Sequence, residues 1–246
     1  MADASTREMK ITEKKLDTHN VVRLKLYSEE ALSKMQVSSF VFLYNEAGEY
    51  KPYTPIRKTS HELWFAIKIY KLGNISQFIA SKEVGETIKV SEFQQKRRNT
   101  YNEFNKVLLI AGGAGITPIY QLLHENLSYD ENTIQYHLLF LNHTADDILI
   151  KKELEDLQNR HPTHLKIHHI ISEGIPKENA EYVRGTLNKR LLLDITNNTL
   201  SDFVYVCGPP SLMETFSGGK TPEKEQGELK GILKEIGYSE KNVYKF

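Results

Sequence analysis

Four short stretches of the chain hold residues whose types and spacing could do chemistry. Gly112, Gly113 and Gly115 follow the apolar run 107–111 (VLLIA) and precede Thr117 and Pro118. Glycines between a strand and a helix let the backbone approach a diphosphate closely. The helix N-terminus adds free N–H groups and a partial positive charge. Pro118 suits a first helical turn, where no N–H is needed. Such a turn alone serves packing as readily as phosphate binding. It also departs from G-x-G-x-x-G: Pro118 stands at the third glycine position, and Leu141, Asn142 and His143 stand where an acid would end the second strand. Cys207, Gly208, Pro209 and Pro210 follow another apolar run. Ligands of doubly wound sheets bind at such carboxyl ends, although a free cysteine is more often a buried small hydrophobe. Lys51, Pro52, Tyr53, Thr54 and Pro55 combine a cation, an aromatic face and a hydroxyl, or else form a proline-stiffened turn. Gly73, Asn74, Ile75 and Ser76 open a short helix, with Asn74 as its expected cap, and offer a second helix N-terminus to a phosphate.

These groups need a frame. Residues 21–26, 39–44, 63–70 (LWFAIKIY) and 86–93 alternate or run as β-formers punctuated by turn residues, the pattern of an antiparallel sandwich or barrel. After residue 105 the rhythm changes. Apolar strands at 107–111, 134–141, 165–171 and 203–207 alternate with helical patterns at 118–125, 146–160, 187–194, 211–216 and 223–236, and 243–246 could add a last strand. Strands of that kind imply a parallel sheet covered on both faces. The sequence therefore predicts an antiparallel β-barrel domain over residues 1–105, followed by an α/β parallel-sheet, Rossmann-like domain over 106–246.

Composition narrows the function. The 246 residues carry 32 Lys+Arg and 32 Asp+Glu, a net charge of zero that argues against a nucleic-acid binder. Residues 1–105 hold 17 basic and 13 acidic side chains, a net of +4, and the remainder is −4. One cysteine excludes a disulfide framework and suits a reducing intracellular compartment. No run approaches a membrane span, and the polar start MADASTREMK is no secretory signal. Histidines 137, 143, 161, 164, 168 and 169 are scattered without ligand spacing, so no metal site is expected.

Taken together, the four stretches resemble the ferredoxin–NADP reductase superfamily and, within it, the NADH-cytochrome b5 reductases. The family's R-x-Y-[ST] flavin motif is matched by Lys51–Thr54, with lysine in place of the usual arginine, which keeps the charge but loses the planar fork. Its G-x-x-S helix is matched at 73–76, its G-G-x-G-x-x-P turn at 112–118, its C-G-P-P at 207–210 and its terminal aromatic by Phe246. Residues 137–149 (HLLFLNHTADDIL) and 227–246 also look like this family, the latter especially like its fungal members. The resemblance implies a flavoenzyme that binds FAD and NADH. It implies Tyr53 along the isoalloxazine or ribityl chain, Thr54 near flavin N5, backbone of Ile67, Lys68 and Ile69 on the flavin, and Tyr70 close by. Lys51 and Gly73, Asn74, Ile75 and Ser76 would hold the FAD diphosphate, Thr117 would touch the flavin, and Cys207 would sit beside the nicotinamide. Glu173, after the third strand of the second half, would accept from the adenosine ribose 2′-OH and repel a 2′-phosphate.

The expected activity is hydride transfer from NADH to FAD, followed by single-electron delivery to a separate haem protein such as cytochrome b5. The alternatives are a non-b5 acceptor (another haem protein, an iron–sulfur protein or a quinone) and a flavin-binding assembly factor with low turnover. A monomer is expected. Membrane association, mitochondrial or endoplasmic-reticulum by resemblance, would come only through a segment outside this chain. The segment 94–100 (QQKRRNT) is unusually polar for the family, and Lys96, Arg97 and Arg98 could meet an acidic haem-protein rim.

Overall fold

The computed structural model describes residues 5–97, 102–174 and 182–246. Arg98 lies outside them. The described residues form two compact units: one holds residues 5–97 with Tyr120–Glu125, the other residues 102–119 and the rest of the chain from Asn126.

The first unit is an antiparallel sheet of β1 (Thr6–Thr18), β2 (Val21–Tyr27), β3 (Ser39–Tyr44), β4 (Tyr50–Tyr53), β5 (Arg57–Lys58), β6 (Glu62–Lys68), β7 (Thr87–Ser91) and β8 (Gln94–Gln95). Its order is β4-β3-β7-β1-β2-β6-β5, with β8 paired to β3. The two ends of that path, β4 and β5, are joined by residues 54–56 alone. Three residues reach at most roughly 14 Å between the flanking Cα atoms, so the sheet must curl until its edges approach. Met9, Ile11, Leu24, Leu26, Leu43, Phe65 and Val90 fill the inside. The helix α1 (Asn74–Ser81) lays Ile75 and Ile79 on that core.

The second unit is a parallel sheet ordered β12-β11-β10-β9-β13-β14. Its strands are β9 (Lys106–Gly112), β10 (Gln135–Asn142), β11 (Leu165–Ile171), β12 (Tyr182–Arg184), β13 (Phe203–Cys207) and β14 (Val243–Lys245). Its helices are α2 (Ile116–Leu127), of which Tyr120–Glu125 belong to the first unit, α3 (Lys151–Arg160), α4 (Lys189–Ile195), α5 (Pro210–Phe216) and α6 (Gly231–Glu235). From β9 the chain runs outward through β10, β11 and β12, then returns to the other side of β9 as β13. The gap between β9 and β13 is thus the point where strand order reverses. Buried Leu108, Ile110, Leu139, Val204, Val206 and Leu233 make the core of one face.

Several expectations need correction. β1 was not anticipated: over its 13 residues only Met9 and Ile11 are buried, so its alternation is faint, yet it pairs with both β2 and β7. β12, only three residues long, was also not foreseen. The 63–70 strand stops at Lys68, because Ile69 and Tyr70 turn toward Gly73: Gly73 N–H donates to Tyr70 C=O at 3.0 Å. Residues 50–53 are an edge strand rather than a turn, with Pro52 opposite Phe42 where a missing N–H is tolerated. The helical pattern at 146–160 is broken. A 3₁₀ turn (Ala145–Asp147) is closed by a Thr144–Asp147 capping box, and Ile148, Leu149 and Ile150 then leave helical geometry, Ile150 at φ 51°, to bury all three side chains. Helix 223–236 shrinks to Gly231–Glu235. The preceding loop is tied instead by buried Lys245, whose ammonium donates to the carbonyls of Glu228 at 2.8 Å and Gly219 at 3.1 Å.

Candidate functional site

In the first unit, Lys51, Pro52 and Tyr53 lie on β4, and Thr54 begins the link that closes the sheet. Ile67 and Lys68 end β6 at the other side of the sheet. Tyr53 and Tyr70 come into electrostatic reach of each other. Burial, and then the neighbouring Tyr70, pushes the Tyr53 phenol up to about 12, and burial raises Tyr70. Both hydroxyls stay protonated donors at neutral pH.

The turn at 73–76 works differently from the expectation. Gly73, not Asn74, is the N-cap of α1, and Asn74 is already helical, its amide reaching Glu49 at 3.4 Å. The Ser76 hydroxyl is buried. It accepts from Tyr70 N–H at 3.1 Å and donates to Gly73 C=O at 3.0 Å. Its bonds are therefore spent on shaping the turn. What remains for an anion is the first-turn backbone N–H groups of an eight-residue helix, with exposed Lys51 as the cation of the same unit.

Sequence reasoning missed Gln121, which belongs to the first unit. Its amide is 1% exposed, accepts from Ser39 N–H at 3.0 Å, and donates to Ser39 C=O at 3.0 Å and Pro55 C=O at 3.1 Å. It thus pins the residue after Thr54. The available signal was a glutamine set among the apolar positions Ile119, Leu122 and Leu123 of an expected helix.

In the second unit the structure brings the glycine turn and the cysteine turn together at the carboxyl ends of β9 and β13, which are paired neighbours with Cys207 opposite Ala111. The contact is backbone to backbone. A Cβ on Gly115 would stand 2.2 Å from Cys207 O and 2.8 Å from Gly208 N. Gly112 and Gly208 face the Leu212 side chain, with 2.6 and 3.1 Å to its Cδ1. Gly113 differs: it has φ +50°, and nothing lies within 4 Å of where its Cβ would be. Three glycines therefore seat the two turns, and one leaves an open backbone face. Thr117 donates to Ala114 C=O at 3.2 Å, and Pro118 sits in the first turn of α2. Pro209 and Pro210 lead into α5, with Pro210 in its first turn. Phe246 donates its N–H to Val206 C=O at 3.0 Å and stacks on Tyr205 with ring centroids 5.5 Å apart.

Glu173 is not beside Cys207. It is exposed just past β11, where its N–H donates to His143 C=O at 2.8 Å. Two inter-strand steps separate β11 from β9, about 10 Å, so the acid and the glycine turn lie at two places along one edge of the sheet. An extended dinucleotide with its diphosphate at Gly113 and an adenosine ribose near Glu173 fits that spacing. Among the described residues no group of three or more His, Cys, Asp or Glu could hold a metal, and no helix is long and apolar enough to cross a membrane.

Comparison with known proteins agrees with the two-part fold. Residues 8–92 match the family described as "Oxidoreductase FAD-binding domain", and residues 109–217 match "Oxidoreductase NAD-binding domain". The cytochrome b5 reductase domain of Ulva prolifera nitrate reductase has the same fold, at TM-score 0.78 and 22% identity, with 98% of this chain and 97% of that one covered. NADH-cytochrome b5 reductase 2 of Aspergillus oryzae is 35% identical over 97% of this chain and 77% of its own, and that of Aspergillus niger is likewise 35% identical with the same coverage. The chain belongs to the NADH-cytochrome b5 reductase family of the ferredoxin–NADP reductase superfamily.

Proposed function

We propose that this protein is a flavoenzyme that oxidises NADH with FAD and hands single electrons to a separate haem protein of the cytochrome b5 type. The observation that carries this is the pair of turns packed backbone to backbone at the strand-order reversal, with the open face of Gly113 above them. When bound, FAD accepts two electrons from NADH and releases them singly. The chain's own residues bind and align. Lys51 and the first N–H groups of α1, from Asn74, Ile75 and Ser76, hold the FAD diphosphate. Tyr53 covers the isoalloxazine or ribityl chain, Tyr70 lies close by, and backbone groups of Ile67, Lys68 and Ile69 hold the ring. Thr54 is the hydroxyl nearest flavin N5, on a link that Gln121 steadies through Pro55.

On the nucleotide side, the open face of Gly113 admits the diphosphate to the start of α2, on a turn that Gly112 and Gly115 seat against Leu212 and the Cys207–Gly208 backbone. Cys207, set by Gly208, Pro209 and Pro210, orients the nicotinamide. Thr117 contacts the flavin, and Phe246 supplies the terminal aromatic ring. Glu173 accepts from the ribose 2′-OH and repels a 2′-phosphate. None of these groups needs to move a proton, which suits a reaction limited by alignment.

The acceptor docks beside Lys96 and Arg97, where on-rates should fall with salt. The protein works as a monomer in a reducing compartment, at a mitochondrial or endoplasmic-reticulum membrane surface. The single cysteine suits the reducing compartment. The test is a visible flavin spectrum bleached anaerobically by one equivalent of NADH, followed by stopped-flow reoxidation with cytochrome b5. A spectrum that NADH leaves unbleached would reject the enzyme. Reoxidation that only iron–sulfur proteins or quinones achieve would reject the haem acceptor.

A further inference from the structure

At the amino ends of the second unit's strands, opposite the edge that carries the glycine turn, lies a cleft of about 300 Å³. Lys106 starts β9 opposite Gln135 of β10, and His137, two residues on, is opposite Lys166 of β11. With a period of two, Lys106, His137 and Lys166 therefore share one face of the sheet. The walls add the exposed apolar groups of Pro162 and Leu200, while the side chains of Val107 and Leu165, one residue off the lysines, turn to the other face and are buried.

Among the described residues that line the cleft there are two lysines and two histidines but no Asp or Glu. Neither Lys106 nor Lys166 has a carboxylate within ion-pair distance among the described residues. The nearby acid, Asp202, directs Oδ2 at the backbone N–H groups of Asn105 and Lys106, at 2.8 Å each. Burial, then Lys166 and Lys106, holds the His137 imidazole below its ordinary value, so the field of both lysines reaches the same spot. Behind it the His168 ring meets His137 at 5.6 Å, and its Nε2 is buried without a hydrogen-bond partner.

We propose that this cleft binds a small organic phosphate with a flat apolar body, the phosphate between Lys106 and Lys166 and the body against Pro162 and Leu200. Two ammonium groups without a carboxylate partner, in a concave site that also offers exposed apolar groups, are what such an anion requires, and compact ammonium groups suit a phosphate as point charges.

The probe is 1-naphthyl phosphate, titrated calorimetrically into the FAD-loaded protein with and without saturating NAD⁺. One saturable site with Kd below about 1 mM is expected, unchanged by NAD⁺. Inorganic phosphate and 1-naphthol should each bind about tenfold more weakly, since each keeps only half of the contacts. The double variant Lys106→Gln/Lys166→Gln, at exposed positions, should weaken binding about tenfold or more. Thr199→Trp, which fills the cleft from its exposed wall, should abolish it. Competition by NAD⁺ would place the probe at the glycine turn and overturn the proposal. Absence of a saturable site, or affinity unchanged in both variants while they melt like the parent, would overturn it equally.

Discussion

Gly115→Ala tests whether the seating of the two turns, rather than any side-chain chemistry, sets the rate. The added Cβ would lie 2.2 Å from Cys207 O, 2.5 Å from Cys207 C and 2.8 Å from Gly208 N. All three are backbone atoms, so no rotamer change relieves the overlap. Ordinary contact near 3.5 Å requires the turns to part by about 1 Å. Cys207 is the side chain assigned to the nicotinamide, and a misplacement of about 1 Å costs about 10²-fold in rate, or about 2.7 kcal/mol of barrier. The assay is anaerobic stopped-flow reduction of bound FAD by saturating NADH. FAD content serves as the control, because the residues assigned to its diphosphate belong to the other unit. Gly113→Ala is the comparison. Its Cβ meets nothing within 4 Å, so it should cost about 1 kcal/mol of stability from the left-handed φ and weaken NADH binding while leaving the limiting reduction rate within about threefold. If Gly115→Ala also reduces its flavin within about threefold of the parent, the two turns do not set the alignment and the reasoning fails.

Three further outcomes follow from the same arrangement. Cys207→Ala should slow flavin reduction while retaining FAD; loss of FAD with an unchanged rate in the remaining holoprotein would contradict the role. Glu173→Ala should raise the NADPH/NADH ratio of kcat/KM, and an unchanged ratio would return Glu173 to an ordinary exposed loop residue. Lys245→Met should cost about 2–3 kcal/mol in urea unfolding, because the Glu228 and Gly219 carbonyls lose a charged donor; a loss under about 0.5 kcal/mol would mean that Gln226, which bonds the Lys245 backbone at 2.7 and 3.0 Å, holds the loop alone.

Strands with continuous apolar runs were legible in the sequence, because burial on both faces leaves a mark that short-range patterning cannot hide. Residues 107–111 and 203–207 are examples. β1 was not legible, since it is held by pairing to β2 and β7 and contributes two buried side chains in thirteen residues. The helices at 146–160 and 223–236 misled for a related reason. Their periodicity was real, but burying Ile148, Leu149 and Ile150 together, and satisfying Lys245 with loop carbonyls, involves partners distant in sequence. The site divides along the same line. Its residue types, and their place at strand ends, could be read locally. The division of labour among them could not: the Ser76 hydroxyl could be taken for a ligand until its two bonds inside the turn were placed. The glycines make the point most sharply, because Gly113 and Gly115 are two residues apart and chemically identical. Only the position of Cys207 across the sheet distinguishes the one that leaves room for a nucleotide from the one that leaves room for another turn.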